Sequence, residues 1–180
     1  NPPIKTPVDL LLYGDTVFAN LYANKTLPGG LAVNSTLFSN FTFAFSWFIV
    51  HVWQGKQIQR YTTAAPFVNK LLSLINSTIS GKSSIKFALF SGHDTNIIAV
   101  LASLGLYTED CVMENFKSVS SGGPIVYPIC QFPIFASTLI FEIYNKSDPY
   151  VQVYYNNINV KICGELTCSW QEFNSTMRRA

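Results

Sequence analysis

The segment IKFALFSGHDTNIIAVLASLGL, residues 85–106, constrains the chain more than any other stretch. Residues 85–90 form a short apolar run, and Ser91-Gly92 closes it with turn chemistry. Its length and its bounding residues predict a buried strand. TNIIAVLASLGL then carries apolar residues at helical spacing, and Gly105 supplies a C-terminal stop. A strand, a tight turn and a helix in succession predict an α/β fold, with part of a sheet flanked by helices.

The flanks extend this picture. Residues 1–80 read as a mainly helical region, and residues 81–180 as strand, His-Asp, helix and a C-terminal hairpin. A helix is expected around DTVFANLYAN, LPGG marks a turn, and residues 37–60 predict a helix with an apolar first half. That half is too short and too polar for a membrane span, which needs about 20 apolar residues. His51 sits there among aromatics and reads as a satisfied core histidine. AAPFVNKLLSLINSTIS predicts a further helix with Pro66 in its first turn. STLIFEIYN and YVQVYYNN flank KSDP as a hairpin whose Val151, Val153 and Tyr155 face a core. INVKIC adds a third strand, and residues 111–133 read as a long stapled loop.

The turn carries the chemistry. His93 and Asp94 stand side by side in a chain with two histidines. A strand-to-helix junction puts them at the carboxyl end of a strand, where open α/β sheets bind ligands. The free N–H groups of the new helix favour an anion there. An imidazole can donate to a phosphoryl oxygen, and a carboxylic acid can protonate a leaving group. The bland reading makes Asp94 a helix N-cap and His93 a turn residue. A Ser91-His93-Asp94 relay is disfavoured further, because residues this close do not line up nucleophile, base and orienting acid in a row and no G-x-S-x-G elbow occurs here.

Charged residues make up only 12% of the chain, against about 25% in ordinary soluble domains. The net charge of +2, with no basic run among aromatics, excludes nucleic acid as a partner. N-x-S/T sequons occur at Asn24, Asn34, Asn40, Asn76, Asn145 and Asn174, where 14 Asn and 30 Ser plus Thr predict about two by chance. Four cysteines, Cys111, Cys130, Cys163 and Cys168, suit two disulfides with three pairings open. A local Cys163–Cys168 bridge is the simplest, leaving Cys111 with Cys130. Their spacing, without histidines nearby, does not suit zinc. Sequons and cystines together predict a glycoprotein of the secretory route, lysosomal or extracellular. The opening NPPIKTPVDL lacks a signal peptide, so a processed product or a piece of a longer chain is expected.

At these residues the chain resembles a known family. FALFSGHDTNIIAVLASLGL is similar to the C-terminal active-site segment of the histidine acid phosphatases, a strand, small-residue turn, His-Asp and helix. CQFPIFASTLIFEIYN, YVQVYYNN and the Cys-bracketed CGELTCSW follow in the order of the secreted and lysosomal members, and KTLPGGL through QGKQIQR resembles their helical part.

The resemblance implies hydrolysis of phosphomonoesters without metal or cofactor. A histidine in an R-H-G-x-R motif is phosphorylated and then hydrolysed by water. His93 matches the second phosphate-binding histidine, and Asp94 the proton donor to the leaving alcohol. No R-H-G-x-R occurs in these 180 residues. The resemblance therefore implies a C-terminal half, inactive alone, with a homodimer as one allowed assembly. Phytase-like activity would share the mechanism. The competing reading is a non-catalytic, glycosylated, disulfide-stapled binding domain.

Overall fold

The structure, a computed structural model, describes residues 4–54 and 56–179. Helix α1 (Pro7–Tyr22) begins on a reciprocal cap. Thr6 Oγ1 accepts the Asp9 N–H at 3.2 Å, and the Asp9 carboxylate accepts the Thr6 N–H at 2.8 Å. α1 crosses α2 (Thr36–Gln54) at Gly14, where any Cβ would overlap the ring of Phe45. Glycine is required here by close approach, not by backbone angle. Phe18 of α1 packs on Phe45 at 5.4 Å and stacks on Phe132 at 5.1 Å.

The single helix expected over residues 37–60 is divided. α2 ends at Gln54, α3 (Gln57–Ile79) begins on Lys56, and Gly55 lies outside the described residues. Pro66 falls inside α3, not in its first turn. It deletes one N–H from the helical ladder. The helix continues because Ala64, Val68, Leu71, Leu72 and Ile75 pin one face in the core. Gly81, at φ +70°, follows its end in the left-handed region that glycine tolerates best.

Helix α4 (Asp94–Ser103) is the central wall of the molecule. Ile98 through Ser103 are all buried, as expected of a helix apolar on every side. Ala99 and Val100 join one core with α3, the sheet, and Phe173 and Met177 of α6 (Trp170–Arg179). Ile98 and Leu101 join another with Phe45, Ile49 and Val50 of α2, and with Val112 of α5 (Glu109–Ser120). Residues 111–133 are therefore not all loop. Thr108 caps α5 by accepting the Cys111 N–H at 3.2 Å, and Cys111 bridges to Cys130 from within the helix.

The hairpin matches its alternating pattern. β1 (Leu139–Tyr144) and β2 (Tyr150–Tyr155) pair antiparallel across a five-residue loop, with Leu139 opposite Tyr155 and Tyr144 opposite Tyr150. Val151, Val153 and Tyr155 are buried, and their neighbours face outward. β3 (Ile158–Val160) pairs with one end of β2's far edge and β4 (Cys168–Ser169) with the other. Asn156 and Asn157, at φ +49° and +66°, make the β2–β3 turn with the paired positive angles of a type I′ hairpin. Helices against this small antiparallel sheet constitute an incomplete α/β fold of the expected kind.

The strand expected over residues 85–90 does not form. The segment has no regular secondary structure and pairs with no strand among the described residues, and Phe87 and Leu89 are 81% and 80% exposed. A strand is made by its neighbour. Here the four strands pair only with one another, and residues 85–90 join none of them.

Candidate active site

His93 occupies the N-cap of α4 with extended angles, φ −103° and ψ 166°. Its carbonyl accepts the N–H groups of Asn96 and Ile97 at 3.0 and 3.3 Å, which starts the helix. Its own N–H donates to Asn96 Oδ1 at 2.8 Å. Gly92 is small because Asn96 leans across it: a Cβ there would stand 3.1 Å from the same Oδ1. Backbone and amide side chain thus fix the direction in which the imidazole leaves the turn. The residue is exposed, and the ring hydrogen-bonds to no described residue.

Asp94 is the first residue of α4 and is half-buried. Its Oδ1 accepts the Thr95 N–H at 2.6 Å. Burial pushes its carboxyl above the ordinary value, and the Asp15 carboxylate on α1 pushes the same way. The Thr95 N–H and the His93 imidazole oppose them without reversing the direction. An acid that keeps its proton longer than usual thus adjoins an exposed imidazole at a helix N-terminus. A phosphoryl oxygen there would meet N–H dipoles, a ring donor and an acid able to give up a proton.

Two contributors were not anticipated from sequence. Asn96 had a readable signal, since a residue three positions after an N-cap can bond back to it. Asp15 had none, because the fold alone brings α1 to the mouth of α4.

The remaining expected sites fall elsewhere. His51 is not a core histidine. Its side chain is 53% exposed, it stacks on Trp47 at 4.6 Å, and its Nδ1 meets Glu109 Oε1 at 3.2 Å. The reason is helical phase: Ile49 and Val50 take the inward positions and His51 the outward one. Cys111–Cys130 and Cys163–Cys168 are both bridged. Cys163, Cys168 and Glu172 cluster within metal-ligand reach, but the two sulfurs are spent on each other and offer no thiolate. Asn24, Asn34, Asn40, Asn76 and Asn145 are exposed, whereas Asn174 is half-buried and accepts Arg178 Nε–H at 3.0 Å. Among the described residues no helix is long and apolar enough to cross a membrane.

No curated protein matches the chain. A family model described as histidine phosphatase superfamily (branch 2) matches residues 19–156, a span that includes α4, its His-Asp turn and the β1–β2 hairpin. The chain belongs to branch 2 of the histidine phosphatase superfamily.

Proposed function

We propose that this chain supplies the phosphate-binding and proton-donating half of a phosphomonoester hydrolase active at acidic pH, of the acid phosphatase type. The carrying observation is the juxtaposition of an exposed His93 with an Asp94 held above its ordinary proton affinity. In this reading a histidine from outside these 180 residues attacks phosphorus. A P–N bond forms as the ester P–O bond breaks, and the Asp94 proton passes to the departing alkoxide. Water then takes the phosphoryl group from that histidine and releases phosphate. His93 donates to a phosphoryl oxygen throughout, stabilising charge where it develops. Bound phosphate, itself anionic, further disfavours an ionised Asp94.

The 180 residues contain no R-H-G-x-R, so the chain alone is proposed to be a C-terminal half without turnover. The same absence favours a second reading, a non-catalytic binding domain. The six sequons and two disulfides support a glycoprotein of the secretory route in either case.

The deciding experiment expresses the reading frame that contains this chain and assays it at acidic pH on alkyl and nitrophenyl phosphates. His93→Ala should abolish activity on both. Asp94→Asn should slow alkyl phosphates, which need a protonated leaving group, far more than nitrophenyl phosphates. Equal losses on the two substrates would exclude the donor role, and no turnover by the wild type would favour the binding domain.

A further inference from the structure

The hairpin sheet keeps its core on one face. Val151 and Val153 are buried there, and Leu139, Phe141 and Ile143 pack beside them in the core shared with α3, α4 and α6. Alternation turns the even-numbered residues the other way. They pair across the two strands in three rungs, Ile140 with Tyr154, Glu142 with Gln152, and Tyr144 with Tyr150. Ile140 and Glu142 are exposed, and the other four are partly buried. α4 reaches the sheet from the core side, through Ala99 and Val100, so this outer face is no part of the His-Asp turn.

The middle rung lacks a structural reason. Tyr144 and Tyr150 account for each other, because their rings stack at 4.6 Å and 11° as a stabilising cross-strand pair. Glu142 has no such account. Glutamate is depleted in strands, and an opposite charge across the pair is what stabilises one there. The residue opposite is Gln152, and among the described residues Glu142 forms no ion pair. Its neighbours are phenols instead. Tyr144 Oη–H donates to Glu142 Oε2 at 2.8 Å. Tyr154 Oη–H donates to Gln152 Oε1 at 3.0 Å, and Gln152 Nε2–H donates to Thr167 Oγ1 at 3.0 Å. These bonds hold the side chains around the carboxylate and engage donors that could otherwise turn to a ligand. None of them brings a positive charge. A carboxylate offers about four acceptor sites, and the Tyr144 phenol fills one. The face is left with negative charge, open lone pairs and aromatic rings.

We infer that this face binds an arginine side chain of a second polypeptide, its guanidinium forked on the Glu142 carboxylate and lying against the tyrosine rings. Charge complementarity selects a cation, and the rest of the face selects which one. A guanidinium is planar, engages two oxygens at once and stacks on aromatic rings. Same-face residues on a strand stand about 7 Å apart. A cation on Glu142 therefore has a tyrosine on either side near the reach of about 6 Å over which ring faces attract it. Lysine supplies the charge without the plane. A neutral sugar would stack on the rings and leave the charge unanswered. Free arginine would bring its own carboxylate towards Glu142, so the residue inside a peptide is the better ligand. The inference uses none of the residues of the proposed phosphatase site and does not depend on that reading.

The test is amide NMR on the isotope-labelled chain, titrated with blocked tripeptides acetyl-Gly-Xaa-Gly-amide. Xaa is arginine, lysine or citrulline, the last an uncharged analogue with the same planar end. The arginine peptide should shift the amides of residues 140–144 and 150–154 saturably, with half-saturation on the order of millimolar. Lysine should bind about threefold more weakly and citrulline about fivefold, as an exposed ion pair and an exposed cation–π contact allow. Glu142→Gln, at an exposed position, should keep the circular dichroism spectrum and erase the preference for arginine over citrulline. Tyr150→Leu should narrow the preference for arginine over lysine and keep that over citrulline. Equal binding of arginine and citrulline by the wild-type chain overturns the inference, and so does a preference that survives in Glu142→Gln. Larger shifts of the same amides by methyl glucoside would make a sugar the occupant, and shifts that grow with chain concentration alone would make it a second copy; either result overturns the inference. The protein of the longer reading frame should give the same shifts with the arginine peptide. Silence there would show another part of that protein covering the face, which also overturns the inference.

Discussion

A methyl group on Gly92 probes how the turn holds His93. The added Cβ would stand 3.1 Å from Asn96 Oδ1 and 3.5 Å from Asn96 Cβ and Cγ, so the side chain must yield by a few tenths of an ångström. That same Oδ1 accepts the His93 N–H at 2.8 Å. Losing one such hydrogen bond costs about 1 kcal/mol net. Against this, replacing glycine by alanine at an ordinary φ stabilises by about 0.4–1 kcal/mol through the unfolded chain. Gly92→Ala in the wild-type background should therefore be nearly neutral, destabilising by at most about 0.6 kcal/mol. In an Asn96→Ala background the clash and the bond are both gone, and the same change should stabilise by about 0.4–1 kcal/mol. The double-mutant cycle isolates the difference, a coupling of about 1 kcal/mol. Urea unfolding followed by circular dichroism reads it, and in a domain of this size 1 kcal/mol moves Tm by about 2–4 °C. Effects of Gly92→Ala that agree in both backgrounds within about 0.3 kcal/mol would show that Asn96 does not explain the glycine.

Other perturbations address the rest of the frame. Asp94 binds its proton more tightly folded than unfolded, so its contribution to stability is complete below the ordinary value of 3.8 and is lost as pH rises through its raised folded value. Asp94→Asn should flatten that fall in urea midpoints measured from about pH 3 to 7, and an unchanged slope would remove burial as the cause. Removing Cys111–Cys130, which closes a separation of 19, should cost about 3 kcal/mol. Removing Cys163–Cys168, which closes 5, should cost about 2, and paired alanine variants in denaturant give the order. Leu101→Ala, at a fully buried position on α4, should cost about 2–5 kcal/mol. Leu89→Ala, at a position 80% exposed, should stay within about 0.5 kcal/mol, and a larger loss would mean that the segment packs on something in the isolated chain.

What could be read from the residues was what depends on near neighbours. The hairpin declared itself because period-two alternation and the Asp148-Pro149 turn both act within a few residues, and β2 buries Val151, Val153 and Tyr155 as that alternation requires. α4 was legible from a continuous apolar run and the stop at Gly105, which sits at φ +73°. α5 was legible too, but cysteines and a Gly-Pro tract drew attention from Thr108-Glu109-Asp110, an N-cap followed by two acids in the first turn. α6 escaped in the same way, although Trp170, Phe173 and Met177 mark one helical face.

Residues 85–90 fail differently. Their composition predicted a buried strand and the structure has neither strand nor burial there, because pairing is a property of two segments and one segment cannot show whether the other is present. The candidate site divides along the same line. Its His-Asp order, its helix N-terminus and the Asn96 brace are written within four consecutive residues. The Asp15 carboxylate that helps to hold the Asp94 proton comes from α1, which shares one core with α2 and α4. Local caps therefore aim the imidazole, while tertiary packing sets how firmly the acid beside it keeps its proton. A substitution in the turn should accordingly change geometry first, and one at Asp15 should change proton affinity with the geometry intact.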